Sequence, residues 1–255
     1  MTDRRMSRRR LWTLRICFAA LLLVAWYVLA NTTSRLFLAT PDKIGAGIAE
    51  SVRAGEFLAF LKPTAHILGI GAGFGVLVGV PMGLLVGRFR RLYWLTEAPV
   101  NILYTTPLVA LIPFILVIVG FNTTAKVIIV FLFTVLPVLI NTTVGVRTVD
   151  ADLFELARSY CAREWTVWRD VIVPGALPAV MTGLRLGLVH ALVGAVLADF
   201  YAGASGFGYL IIKYSNQFDI AAALGPVVVL AVTGIAVAGL LKWFQRRLSP
   251  WQAGP

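Results

Sequence analysis

Glu155, Leu156 and Ala157, followed four residues on by Cys161 and then by Val171, Val173 and Pro174, are the residues whose types and spacing are best suited to a specific task. They lie in a charged stretch, residues 147–174 (RTVDADLFELARSYCAREWTVWRDVIVP), set between two apolar runs. The chemistry open to such a stretch is recognition. Asp150 or Asp152 can cap a short helix through Glu155 and Ala157, placing acidic groups at the positive end of its dipole. The chain should then bend near Cys161 and resume as a second helix with Glu164, Trp165, Trp168 and Arg169, ended by Pro174 and Pro178. Two short helices at an angle make a knob.

Catalytic chemistry has little to stand on. No lysine is followed by serine or threonine, so the phosphate loop G-x-x-x-x-G-K-[ST] is absent from the sequence. There is no HExxH, no GxSxG and no cysteine–histidine cluster; His66 and His190 stand alone in apolar surroundings. The reading is therefore of a chain that is not an enzyme and holds no metal or cofactor.

The elements that must position the knob follow from composition. With 59% hydrophobic and 14% charged residues, the chain carries more apolar surface than a soluble domain of 255 residues encloses. Runs of about 20 apolar residues span hydrocarbon, and six occur: roughly 12–30, 65–87, 97–120, 125–146, 178–200 and 222–242. The fold class is an all-α membrane protein with six transmembrane helices. The net charge of +11 describes topology, not nucleic-acid binding. One side holds Arg4, Arg5, Arg8, Arg9, Arg10, Arg15, Arg88, Arg90, Arg91, Arg147, Arg158, Arg163, Arg169, Lys242, Arg246 and Arg247. The other holds Arg35, Lys43, Arg53, Lys62, Lys126 and Lys213. Basic residues concentrate in cytoplasmic loops, which places both termini and the charged stretch inside. The first apolar run is too long for a signal-peptide core and reads as an uncleaved span. Cys17, in that span, and Cys161, in the loop, cannot pair.

Between the first two spans, Thr40-Pro41-Asp42 reads as a turn and cap before a short outer helix carrying Ile44, Ile48, Val52 and Leu58. The second span places Gly71, Gly75, Gly79, Gly83 and Gly87 at every fourth position; the fifth repeats the pattern with Ala179, Gly183, Gly187, Ala191 and Ala195. Small residues at this spacing let helix backbones approach in lipid, whether as static packing or as an interface that slides. Pro81, Pro107, Pro113 and Pro137 should kink the spans that hold them. In the third span, Asn101, Tyr104, Thr105 and Thr106 precede Pro107 and form a polar face suited to a path. Glu97, Arg185 and Asp199 are ionisable groups in or near spans and are functional candidates for that reason, although Arg185 can also snorkel to headgroups.

The E-L-A, three-residue gap, C, nine-residue gap, V-x-V-P pattern resembles the EAA loop of bacterial ABC-importer permeases of type I, with Cys161 where the family has glycine. Gly145-Val146-Arg147 before it and Thr182-Gly183-Leu184-Arg185-Leu186 after it match as well. Asp199 with Ser205-Gly206-Phe207-Gly208-Tyr209 is similar to the family's acidic residue and S-G-L-G-Y segment, and the third span is similar to that of nitrate, sulfonate and taurine permeases.

The resemblance implies an ABC type I transmembrane domain over residues 60–244, preceded by an extra span in 1–59 and followed by a tail, 245–255. It implies that Glu155, Ala157, Arg158, Cys161, Ala162 and Pro174 belong to a knob that docks on a separate ATPase, where ATP and Mg reside. Two such ATPase subunits, an extracytoplasmic solute-binding protein and a second, identical permease chain are the expected partners in a bacterial inner membrane. Asp199 is expected at an outer gate or dimer seam. The implied cargo is nitrate, taurine or an alkanesulfonate, with a thiamine precursor or other heterocycle as the alternative. Rival readings are a secondary transporter using Arg185, His190 and Asp199 as a relay, and a membrane anchor without a path.

Overall fold

The computed structural model of the protein describes residues 8–32 and 38–248. Arg4, Arg5 and Arg35 of the charge asymmetry, and residues 249–255 of the tail, lie outside them. Among the described residues the regular elements are all helical: α1 (Arg8–Thr32), α2 (Pro41–Arg53), α3 (Glu56–Arg88), α4 (Arg90–Thr105), α5 (Leu108–Val119), α6 (Thr123–Arg147), α7 (Ala151–Ser159), α8 (Glu164–Val167), a π-helical turn (Trp168–Ile172), α9 (Val173–Ala202), α10 (Phe207–Asn216) and α11 (Ile220–Leu248). They fall into two compact units. One comprises the described residues up to Leu58 with Leu210–Val227; the other comprises Ala59–Tyr209 with the described residues from Val228 onward. Residues 210–227 thus cluster with the N-terminal segment, a grouping that the sequence reading does not make.

In the first unit, α1 leaves its apolar side chains almost wholly uncovered, as a helix surrounded by lipid does. The expected short helix is α2. Pro41 occupies its first turn, where a missing N–H costs nothing, and Asp42 follows at the positive end of the dipole. Thr40 precedes it in extended conformation, but its hydroxyl caps no backbone group and is buried without a partner. At the start of α3, the Glu56 carboxylate accepts from the Tyr214 hydroxyl at 2.6 Å and from Lys213 Nζ at 3.4 Å. That hydrogen bond to a carboxylate pushes the Tyr214 phenol up to about 12.

The second unit is built on α6, with α3 and α9 against it. Every glycine of the α3 stripe meets a β-branched residue of α6. A Cβ on Gly71, Gly75, Gly79, Gly83 or Gly87 would lie 2.5–2.9 Å from side-chain carbons of Val130, Thr134, Val138, Thr142 and Val146 respectively. Such separations are too short for two carbons, so only glycine permits this approach. On α9, Gly183 and Gly187 pack in the same way against Asn141 and Val138, and Gly145 of α6 admits Ala179. The Thr143 hydroxyl donates to the Gly83 carbonyl at 3.3 Å, a bond across helices that replaces water inside the bundle.

Among the described residues five helical segments are long and apolar enough to span a membrane: Leu11–Thr32, Glu56–Arg88, Thr123–Arg147, Glu164–Ala202 and Ile220–Gln245. The remaining expected span, 97–120, is not one helix but two, α4 and α5, bent by 94°. Pro107 drives the preceding residue out of helical conformation, and Thr106 accordingly sits at φ −70°, ψ 130°. A second expectation is corrected at Pro174 and Pro178, which do not stop the helix begun at Glu164. The π turn supplies the wider five-residue bond, Val173 N–H to the Trp168 carbonyl, just before Pro174. Proline lacks an N–H and crowds the preceding turn, and this register change accommodates it, letting the helix run on into α9.

Gly75→Ala should overpack the α3–α6 seam and lower stability by about 1–3 kcal/mol. Gly73, whose Cβ position is open, is the control. Gly73→Ala should be neutral or stabilising by up to about 1 kcal/mol. Unfolding in detergent, compared across the two variants, tests the seam.

Candidate functional site

The knob forms at one end of the second unit, where α3 and α6 finish in Arg88 and Arg147. Asp150 caps α7, its carboxylate accepting from the Asp152 N–H at 3.0 Å, which selects between the two candidate caps. The helix closes with a Schellman pattern: Ala162 N–H donates to the Ala157 carbonyl and Cys161 N–H to the Arg158 carbonyl, each at 2.9 Å. This motif places one residue in left-handed conformation just past the helix, normally glycine. Here that residue is Cys161, with φ 50°. The bend is therefore sharp, and the cysteine carries a conformational cost of roughly 1–2 kcal/mol.

Beyond the bend, α8 starts at Glu164. The Arg88 guanidinium donates from Nη2 to Glu164 Oε1 at 2.8 Å and sits 5.6 Å from the centre of the Phe154 ring on α7. Phe89 packs against Trp168, ring centres 6.5 Å apart. Beneath, Val146, Ile172, Ala176 and Val180 form a buried apolar cluster joined by Phe154, Val167 and Trp168. The knob's other surface is open: Leu153, Leu156, Tyr160 and Trp165 are exposed alongside Glu155, Arg158 and Cys161. Ala157, Ala162 and Pro174 are half-buried. Glu155 and Arg158 share a pocket with Arg88, Arg147 and Phe154.

Along α4, Tyr93, Glu97, Asn101 and Thr105 recur at every fourth position, and no residue of this helix is buried. The Tyr93 hydroxyl donates to Glu97 Oε1 at 2.7 Å, and the Arg147 guanidinium lies 3.8 Å from the Tyr93 ring centre. Tyr93, Thr96, Glu97 and Asn101 face Leu139, Ile140 and Thr143 of α6 across a narrow cleft. Tyr104 and Thr105 are exposed and Thr106 half-buried outside that cleft. The hydroxyls of Thr105 and Thr106 turn back onto the carbonyls of Asn101 and Ile102, at 2.8 and 2.7 Å.

At the far end of the same unit lies a second polar cluster. Asp199 is fully buried; its Oδ1 accepts from Lys126 Nζ at 2.8 Å and its Oδ2 from the Thr64 hydroxyl at 2.9 Å. Lys126 also donates to the Ser205 carbonyl at 3.0 Å, and Phe207 N–H donates to the Thr64 hydroxyl at 2.8 Å. The Ser-Gly-Phe-Gly segment passes directly over the carboxylate. A Cβ on Gly206 would overlap the Asp199 oxygens, and one on Gly208 would overlap the Val196 carbonyl. Glycine is required at both positions for contact between the loop and the buried acid. The cluster ties α3, α6, α9 and the loop together.

Asp199 is therefore apart from the polar stripe of α4 and already paired. Arg185 is half-buried, while His190 is exposed with Nδ1 2.9 Å from the Leu186 carbonyl. Among the described residues no hydrogen bond or ion pair joins Arg185, His190 and Asp199, so the geometry of a relay is missing. Residue types and spacing do not bring Lys126 and Thr64 to Asp199, or Arg88 to Glu164. For Lys126 the available signal is its place as the second residue of the 125–146 apolar run, matched by one acid in another run. Among the described residues no group of three histidine, cysteine, aspartate or glutamate side chains is placed to hold a metal ion.

The fold and site define a helical membrane unit that carries a charged knob on one end. Residues 75–253 match the family model described as the binding-protein-dependent transport system inner membrane component, and the chain belongs to that family. It is 28% identical over 243 residues to the putative aliphatic sulfonates transport permease of Bacillus subtilis (strain 168), covering 94% of this chain and 88% of that one. It is 33% identical over 181 residues to the carnitine transport permease of Listeria monocytogenes serotype 1/2a (strain 10403S), covering 71% and 81%. A solved structure of an inward-facing methionine ABC transporter shares the fold, with a TM-score of 0.66 at 20% identity over 75% of this chain and 95% of that one. The chain is a multi-pass membrane permease component.

Two outcomes test this geometry. Lys126→Met leaves Asp199 buried and unpaired and should destabilise the protein by about 3–5 kcal/mol in detergent unfolding. Cys161→Gly should slow hydrogen exchange at the amides of Cys161 and Ala162. Cys161→Val should speed it, because a β-branched residue resists positive φ.

Proposed function

We propose that the chain is the permease subunit of an ATP-driven importer in a bacterial inner membrane, with both termini and the knob in the cytoplasm. The observation that carries this reading is the knob itself, rigidly footed on the bundle yet presenting Leu153, Leu156, Tyr160 and Trp165 around Glu155 and Arg158 uncovered. A surface of apolar and aromatic groups with a polar rim has the makeup of a protein interface. The partner it suits is an ABC ATPase, one on each of two identical permease chains, with ATP and Mg held on the ATPase and no cofactor on this chain. The cluster of arginines at the knob end supports the cytoplasmic placement.

Closure of the ATPase pair on ATP would move the two knobs and turn the paired bundles from inward-facing to outward-facing, where an extracytoplasmic binding protein delivers solute. Asn101, Tyr104, Thr105 and Thr106, with Glu97, supply the polar side of the path. In lipid such a stripe is costly unless it meets water or protein, which supports a path or a seam between copies beside α4. Asp199 serves the same cycle by holding the far end of the bundle together.

For the solute we adopt a small sulfonate, taurine or alkanesulfonate, or nitrate, because the match to the sulfonate permease extends along nearly the whole chain. The carnitine permease match is stronger in identity and shorter in extent, and it supports a second reading, a quaternary-ammonium zwitterion. Uptake of labelled taurine and labelled carnitine by cells with and without the chain separates the two. For the docking surface, the tagged chain purified from its host in mild detergent should bring a Walker-type ATPase with it. Glu155→Lys should lose that ATPase. A chain that purifies alone in both forms would refute the importer reading.

A further inference from the structure

Arg88 is the last residue of α3, and its one side chain touches both arms of the knob. Through Nη2 it holds the Glu164 carboxylate, at 2.8 Å to Oε1 and 3.3 Å to Oε2, at the first residue of α8. Its guanidinium also lies 5.6 Å from the ring centre of Phe154 on α7. The two arms are separated by the left-handed bend at Cys161, so Arg88 spans the hinge from beneath. Its side chain is 25% exposed against 66% for Glu164. The contact is thus partly covered, unlike the freely solvated ion pairs that contribute little.

Arg88 also has a rigid foot. Gly87, beside it, approaches Val146 so closely that a Cβ would sit 2.6 Å from the valine Cβ, and the same approach repeats along α3 up to Gly71. A force applied at Arg88 therefore has no slack to take up at the end of α3. Packed interfaces of this kind shift as units rather than deform continuously. Phe89 against Trp168 adds a second contact from the same α3–α4 junction to the π turn.

From these contacts we infer that Arg88 is a positioning residue for energy coupling: it fixes the angle between α7 and α8 and conveys movement of the knob to α3. This rests on the reading of the knob as an ATPase dock. The planar guanidinium pairs with Glu164 and stacks on Phe154 at once, which an ammonium cannot reproduce. Arg88→Lys should therefore behave more like Arg88→Ala than like the parent.

The test uses the complex with its co-purifying ATPase and carries Tyr104→Cys, an exposed reporter on the α4 side. Labelling of that cysteine by a membrane-impermeant maleimide is quantified at the site by mass spectrometry, with and without ATP and vanadate. ATP hydrolysis is measured on the same sample. In the parent, nucleotide trapping should change labelling several-fold. Arg88→Ala and Glu164→Gln should keep the ATPase bound and at least half the hydrolysis rate, while the nucleotide-dependent change in labelling falls at least fivefold. The double variant should fall no further than Arg88→Ala alone, since both act through one contact. Glu164→Gln is nearly isosteric at an exposed position, so it answers the question even if Arg88→Ala folds poorly. An unchanged labelling response in Glu164→Gln, loss of the ATPase from the complex, or additive effects in the double variant would each overturn the inference. Failure of the parent complex to bring an ATPase at all would instead defeat the importer reading beneath it.

Discussion

The close approach of α3 and α9 to α6 is the constraint on which the rest of the structure depends. In a bilayer, apolar side chains gain nothing by leaving lipid for protein, so helices associate through contact area and hydrogen bonds. Five glycines on α3 set against five β-branched residues on α6 maximise that contact. Valine and threonine have little rotamer freedom on a helix, so the ridge they make is already rigid before it packs. Val138 shows the economy of the arrangement, lying between Gly79 on one side and Gly187 on the other.

Each end of this three-helix core carries a polar device that the core alone makes possible. At the far end, Thr64, Lys126 and Asp199 come from α3, α6 and α9 and meet only because those helices are close and in register. At the knob end, Arg88 and Arg147 emerge from α3 and α6 to support a surface that itself is nearly unburied. The same rigidity serves opposite purposes. One end is closed around a buried charge pair, and the other leaves apolar and aromatic side chains uncovered.

Some of this was legible in the residues themselves. A helix cap at Asp150 or Asp152, the bend at Cys161 and the restart at Glu164 are local events, governed by side-chain acceptors and backbone conformation within a few residues. The Schellman closure holds Cys161 at positive φ, a conformation in which glycine is the usual residue. Other features lie beyond a local reading. Pro174 looked like a stop because proline removes a bond and crowds the preceding turn, and the π turn that absorbs both leaves no mark in residue types. Pro107 looked like a kink within a span and is a 94° break between two helices, a difference of degree that the dipeptide does not encode.

The sequence by itself determined that the chain is an all-helical membrane protein, which stripes of helix could approach one another, and where a charged knob would interrupt the apolar runs. Those properties follow from periodicity and composition, and each residue carries its share of them alone. Only the tertiary structure decided which ridge meets the glycine stripe, that Lys126 and Asp199 share one buried site 73 residues apart, and that Arg88 reaches Glu164 across 76. Such pairings depend on the distances and rotations between helices, which arise from packing many side chains at once, and no single position along the chain records them.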